Sequence, residues 1–273
     1  MAKSVNVPKN LDSFKGYLLR RKLAEGTVKT VTLCIRRIRE VYGLSKLTPL
    51  RIEKLFQILE DEGCSKNYLA NYRHAIAKLC QFKGVELDIP PVKKRRDFKP
   101  EFVSDSIVKQ LYSFPKRKGA FGRSDWMWNL VIELMAKTGL TREQVINLKV
   151  NDVDLESKLI RVRYKRRFSI PIPNDMLDKL KEWTGDKPKR HYLFSVGGEV
   201  KTWPASVNKV FWKRLEKLGV TTKVSPRILR HNYLKKLVER RLPLSELRRL
   251  AGGVNLRHLN RYFEIKKTNN PSA

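Results

Sequence analysis

Apolar positions recur at helical spacing through the first 87 residues, and this pattern predicts a small all-helical body. Leu11, Phe14, Tyr17 and Leu18 form one stripe, and Val31, Leu33, Ile35, Ile38 and Val41 form the next. Two further helices are expected from about Pro49 to Glu62 and from Ser65 to Phe82, with Gly26, Gly43 and Gly63 at the joins and Ser65 as an N-cap. The pattern breaks at residues 88–100, where three prolines and the run Lys93-Lys94-Arg95-Arg96 read as an extended basic linker.

After the linker the period alternates. Helices are predicted over about 104–113, 125–138 and 142–149. From Val150 to Tyr164 the period turns to two, with Ile160, Val162 and Tyr164 set against Arg161 and Arg163. The tip Lys165-Arg166-Arg167 leads into a second strand, Phe168 to Ile172, so a hairpin with a cationic tip is expected. A short strand at Tyr192–Phe194 precedes helices at about 205–219, 226–240, 244–251 and 256–263. All five tryptophans follow the linker, which makes the second core the larger one.

Charge decides the class of partner. Against 59 Lys and Arg stand 27 Asp and Glu, leaving a formal +32, and such a chain repels itself unless it works beside a polyanion. No stretch approaches the ~18–20 apolar residues of a membrane span, and the N-terminus has no signal-peptide core. This excludes an integral membrane or secreted enzyme and leaves nucleic acid as the leading partner. Cys34, Cys64 and Cys80 are odd in number and widely spaced, and no CxxC or HExxH pattern occurs, so they read as small core residues of a reduced, intracellular protein without a metal site.

Three collinear segments of the second half carry a resemblance. They are Thr138-Gly139-Leu140-Thr141-Arg142-Glu143-Gln144, then Ser225-Pro226-Arg227-Ile228-Leu229-Arg230-His231, then Leu250-Ala251-Gly252-Gly253 with Tyr262 nine residues later. Their order, spacing and intervening hairpin resemble the tyrosine recombinase (phage-type integrase) family over about residues 8–265. The resemblance implies a mainly α fold with a small antiparallel β-sheet. A helical core-binding, SAM-like bundle (1–87) and the basic linker (88–100) would precede an α+β catalytic-type domain (101–265) and a tail (266–273).

It also implies a chemistry with neither metal nor cofactor. A tyrosine attacks the scissile phosphate and leaves a 3′-phosphotyrosyl link; arginines clamp the non-bridging oxygens, and a hairpin lysine protonates the departing 5′ oxygen. Carried over by position, Tyr262 is the nucleophile, Arg230 a clamp arginine with His231 beside it, and Lys165 the general acid.

Three positions depart from the family pattern. Thr141 stands where the first arginine belongs, which displaces Arg142 by one residue, about 100° around a helix. Thr141 with Gln144 three later reads as a capping box. Arg227 replaces a histidine, and Gly253 replaces a histidine or tryptophan and reads as a helix C-cap; His258 nearby reads as a packing or surface residue.

The expected partner is double-stranded DNA. Lys66, Asn67, Asn71 and Arg73 on a bundle helix are candidate base readers, while Lys94, Arg95, Arg96, Arg163, Arg166 and Arg167 are candidate phosphate contacts. Two functions stay open: a strand transferase that integrates or excises a mobile element, acting as a tetramer on paired sites, or a recombinase-derived regulatory or architectural protein that binds without cutting. An RNA-binding or ribosome-associated protein would account for the charge but not for the collinear motifs. A nucleoid-associated place in the cytoplasm of a prokaryotic host follows from either DNA reading.

Overall fold

The structure is a computed structural model describing residues 4–92, 101–115, 120–164, 167–185, 187–195, 200, 202–221, 224–252, 259–260 and 262–263. The chain divides into two units, Met1–Phe98 and Lys99–Ala273.

In the first unit, strand β1 (Val5–Asn6) is followed by helices α1 (Asp12–Arg20) and α2 (Glu25–Glu40), strand β2 (Lys46–Leu47), and helices α3 (Pro49–Asp61) and α4 (Lys66–Lys83). Local chemistry sets the helix ends. Thr48 caps α3 by accepting the Arg51 amide, with Pro49 in the first turn, and Ser65 caps α4 through the Tyr68 amide. The core joins Phe14 and Leu18 of α1 to Val31, Ile35 and Ile38 of α2, Leu55 and Leu59 of α3, and Leu69, Tyr72, Ile76 and Leu79 of α4.

Two positions of the expected α2 stripe do not join it, because Leu33 is 54% and Val41 60% exposed. Leu33 lies about 200° around the helix from Val31, and Val41 falls at the C-cap beyond the last turn. Cys34 and Cys80 are buried, whereas Cys64 packs against the core only partly covered. The pairing of β1 with β2, Val5 opposite Leu47, has no signal in two-residue strands.

The second unit carries α5 (Asp105–Tyr112), α6 (Ala120–Thr138), α7 (Arg142–Ile146), strands β3 (Val153–Asp154), β4 (Leu159–Val162) and β5 (Phe168–Pro171), then α8 (Leu177–Thr184), α9 (Pro204–Lys217), α10 (Arg227–Glu239) and α11 (Leu244–Leu250). Residues 259, 260, 262 and 263 are helical as well. The three strands form one antiparallel sheet in the order β3-β4-β5, with Ile160 opposite Ile170 and Val162 opposite Phe168. Ile160, Val162 and Ile170 face the core, and Arg161 faces outward.

Four expectations need correction here. Tyr164 lies beyond the end of β4. Tyr192–Phe194 is no strand: only Tyr192 bridges to Lys149, because the Leu193 carbonyl is taken by the Trp183 indole at 2.8 Å instead of a strand partner. Helix α7 stops at Ile146, where the Asn147 side chain caps the Glu143 carbonyl at 2.6 Å. Helix α8 was not anticipated; Leu177, Leu180 and Trp183 line its inner face, and Leu180 and Trp183 are buried.

The end of α6 shows how tightly the site region is packed. Gly139 adopts φ +65°, and a Cβ there would lie 2.3 Å from Cδ1 of Tyr233. Gly139→Ala is therefore expected to lower stability by about 3 kcal/mol, from left-handed backbone strain plus displacement of the ring, read as a lower urea midpoint at unchanged slope.

Candidate active site

Helix α10 starts straight after Pro226, so Arg227, Arg230 and His231 fall at i, i+3 and i+4 on one face. Ile228 and Leu229 are buried behind them, and the Asn232 amide exchanges two hydrogen bonds with the Val103 backbone, which fixes the helix against the segment leading to α5.

Arg230 is the organising residue. One guanidinium nitrogen donates to the Gly139 carbonyl and another to the Ala251 carbonyl at 3.0 Å. The turn after α6 and the turn after α11 are thereby tied to α10. The second turn is shaped like the first: Gly252 has φ +73°, and a Cβ there would lie 2.9 Å from the Phe168 ring of β5. Burial lowers the proton affinity of Arg230, and Tyr262 and Tyr233 oppose that shift.

His231 and Tyr262 form a pair, with Nδ1 2.5 Å from the phenolic oxygen. Tyr262 is 6% exposed and packs among Leu234, Leu237, Leu247 and Leu259. Burial pushes the His231 imidazole down to about 4, helped by the positive charges of Arg227 and Arg230. Near neutral pH the ring is uncharged, so Nδ1 can accept the phenolic O–H and the other nitrogen carries the ring proton.

That shift has a consequence for stability. The unfolded imidazole titrates at its ordinary 6.5 and the folded one at about 4, so between these values the unfolded chain takes up more protons. The contribution of the neutral ring is complete above pH 6.5 and falls away as pH drops toward 4, by about 1–2 kcal/mol once solvent screening of the partly exposed ring is allowed for. Urea unfolding between pH 7 and 4 is expected to show this acid loss in wild type and to show it reduced in His231→Asn.

Thr141 caps α7 in the expected capping box: its hydroxyl accepts the Gln144 amide at 3.3 Å, and Gln144 Oε1 accepts the Thr141 amide at 2.8 Å. Arg142 then begins the helix. Its Nε donates to Glu143 at 2.7 Å, and Nη1 donates to Asn208 Oδ1 of α9 at 2.6 Å. A cavity of about 140 Å³ opens between these elements, and Arg142, Arg227 and Arg230 all line it, with Thr141, Glu143 and Ser225 among the other walls. Three arginines against one glutamate among its walls give the cavity an excess of positive charge.

The other sequence candidates are dispersed. Arg163 and Arg167 are exposed beside the hairpin, and Arg163 Nε lies 2.9 Å from Asp152. On α4 the four candidate base readers differ in their surroundings. Asn67 and Asn71 lie one turn apart on an exposed face, Arg73 donates to the Pro90 carbonyl at 3.0 Å, and Lys66 stands 3.9 Å from Glu60. Lys94, Arg95, Arg96, Lys165, Arg166, Gly253 and His258 lie outside the described residues. Asn208 was not foreseen, since no local pattern connects it to a residue 66 positions earlier. Among the described residues no group of three His, Cys, Asp or Glu is placed to hold a metal ion.

The phage integrase family model matches residues 101–269. The chain is 23% identical over 276 residues to a tyrosine recombinase of Pseudothermotoga lettingae, covering 93% of each chain. It is 25% identical over 267 residues to tyrosine recombinase XerA of Pyrococcus furiosus, covering 93% of this chain and 89% of that one. Among solved structures, the Tn1549 transposon integrase in complex with transposon right end DNA superposes with a TM-score of 0.71 at 13% identity, over 95% of this chain and 99% of that one.

Proposed function

The chain belongs to the phage integrase family, and on that premise we propose that it cleaves and rejoins duplex DNA at specific sites through a 3′-phosphotyrosyl intermediate, integrating or excising a mobile element. The observation that carries this reading is Arg230, which lines the anion cavity and adjoins His231, the hydrogen-bond partner of Tyr262. A scissile phosphate in the cavity would face Arg230, preset by two backbone carbonyls, and Arg142, held by Glu143 and Asn208, so that little reorganisation is needed as charge develops on its oxygens.

In the cleavage step the Tyr262 oxygen bonds to phosphorus and the bond from phosphorus to the 5′ oxygen breaks. The phenolic proton passes to His231 Nδ1, and the departing oxygen takes a proton from Lys165, the role that family resemblance assigns to that hairpin lysine. Arg227 adds positive charge where a histidine is usual. The helical unit Met1–Phe98 supplies further DNA contacts, with Asn67 and Asn71 as base readers. Strand exchange would join four copies on two paired sites.

A second reading, binding without cutting, draws on Thr141, whose side chain is committed to the helix cap, and on the burial of Tyr262. One experiment separates the two. Wild type and Tyr262→Phe are incubated with a randomised pool of nicked duplexes, then resolved on denaturing gels beside a band-shift of the same pool. A denaturation-resistant adduct in wild type alone supports strand transfer, and sequencing the trapped DNA identifies the site. Band-shift without adduct supports the binding protein.

A further inference from the structure

We propose that Asn208 is a positioning residue that holds the Arg142 guanidinium in the anion cavity, so that Arg142 supplies the clamp which the residue at 141 cannot. The inference rests on the strand-transfer reading and deepens it. Moving an arginine one place along a helix swings its Cβ by about 100°, and an arginine stem is long and freely rotating. Without an anchor, Arg142 would spread its charge over solvent.

Two contacts prevent this. Glu143 takes Nε at 2.7 Å from the neighbouring position, and Asn208 takes Nη1 at 2.6 Å from a different helix. The place of Asn208 is set by the core: Val207, Phe211 and Leu215 bury one stripe of α9 in the same cluster as Val145 and Ile146 of α7. The amide oxygen thus meets Arg142 at a distance fixed by packing. Two of the five N–H donors of Arg142 are thus taken and three remain, on a residue that lines the cavity together with Arg227 and Arg230. Asn208 is neutral, so it orients the guanidinium without cancelling its charge. Glu143 alone could orient Arg142 but would do so at the expense of the anion.

The test uses the full chain with its arginines labelled with ¹⁵N, titrated with inorganic phosphate at constant ionic strength. Wild type, Arg142→Lys (to assign the Arg142 Nε–H signal), Asn208→Leu and Asn208→Asp are compared. In wild type the Arg142 and Arg230 signals are expected to shift saturably with phosphate. In Asn208→Leu the Arg142 signal should merge with those of exposed arginines and stop responding, while Arg230 still responds. Asn208→Asp, which keeps the acceptor, should keep the Arg142 signal resolved.

On trapped nicked duplex, Asn208→Leu is expected to slow adduct formation at saturating DNA about tenfold to 100-fold, with DNA affinity changed by less than about threefold. Adding Arg142→Lys to Asn208→Leu should slow it little further. An Arg142 signal indifferent to Asn208→Leu, a phosphate response of Arg230 without Arg142, or fully additive rate losses would each overturn the positioning role while leaving strand transfer intact. Silence of both arginines together with no adduct in wild type would overturn the strand-transfer reading, and the positioning role with it.

Discussion

Tyr262→Phe is expected to abolish covalent capture of DNA, not merely to slow it, because in the proposed reaction the phenolic oxygen is the atom that bonds to phosphorus. Removing a nucleophile leaves no lesser version of the same step. The substitution is also mild for the fold. Tyr262 sits 6% exposed among leucines, and a phenyl ring fills the same volume in Leu234, Leu237, Leu247 and Leu259. What is lost is the hydrogen bond to His231, worth roughly 1 kcal/mol in such an environment. Band-shift affinity should therefore stay within about twofold of wild type and the urea midpoint should move little. An adduct that survives the substitution removes Tyr262 from the reaction; an unfolded variant contradicts the packing argument.

Arg230→Ala is expected to reduce adduct formation by about 10³-fold at saturating DNA, the scale found when a preset donor to developing phosphoryl charge is removed. Its structural effect is larger than that of Tyr262→Phe. The carbonyls of Gly139 and Ala251 both lose their guanidinium donor, at roughly 1–3 kcal/mol for each buried group left unpaired. Arg230→Lys separates the two effects. It restores the charge but not the planar fork that reaches two carbonyls at once, so single-turnover rates should remain depressed by about 10²-fold while part of the stability returns. Rates equal to wild type in Arg230→Lys would show that charge alone suffices.

What the sequence disclosed follows the range over which each interaction acts. The Ser65 and Thr48 caps, the Thr141–Gln144 box and the Ile160/Val162 alternation all arise between residues a few positions apart, where spacing maps directly onto geometry. The collinear motifs likewise located the α6 end, α10 and Tyr262. The partners that give those motifs their shape stayed hidden. Arg230 is held by main-chain carbonyls, which have no letter in a sequence, and Arg142 by Asn208, whose proximity is created by helix packing. Leu33 shows the converse error, an apolar letter counted into a stripe from which two-residue spacing turns it away.

The spacing of these contacts along the chain also orders the making of the protein. The acceptors that orient Arg230 stand 91 residues before it and 21 after it, and the partner of His231 comes 31 residues later. During translation the three cavity arginines are polymerised before either Ala251 or Tyr262. A chain terminated between Arg230 and Ala251 thus has all three arginines but neither the second brace of Arg230 nor Tyr262. Under the proposed strand-transfer reaction, the nucleophile and the second brace of Arg230 both belong to the late segment from Ala251 onward, so chains cut short before it would bind anions without cutting DNA.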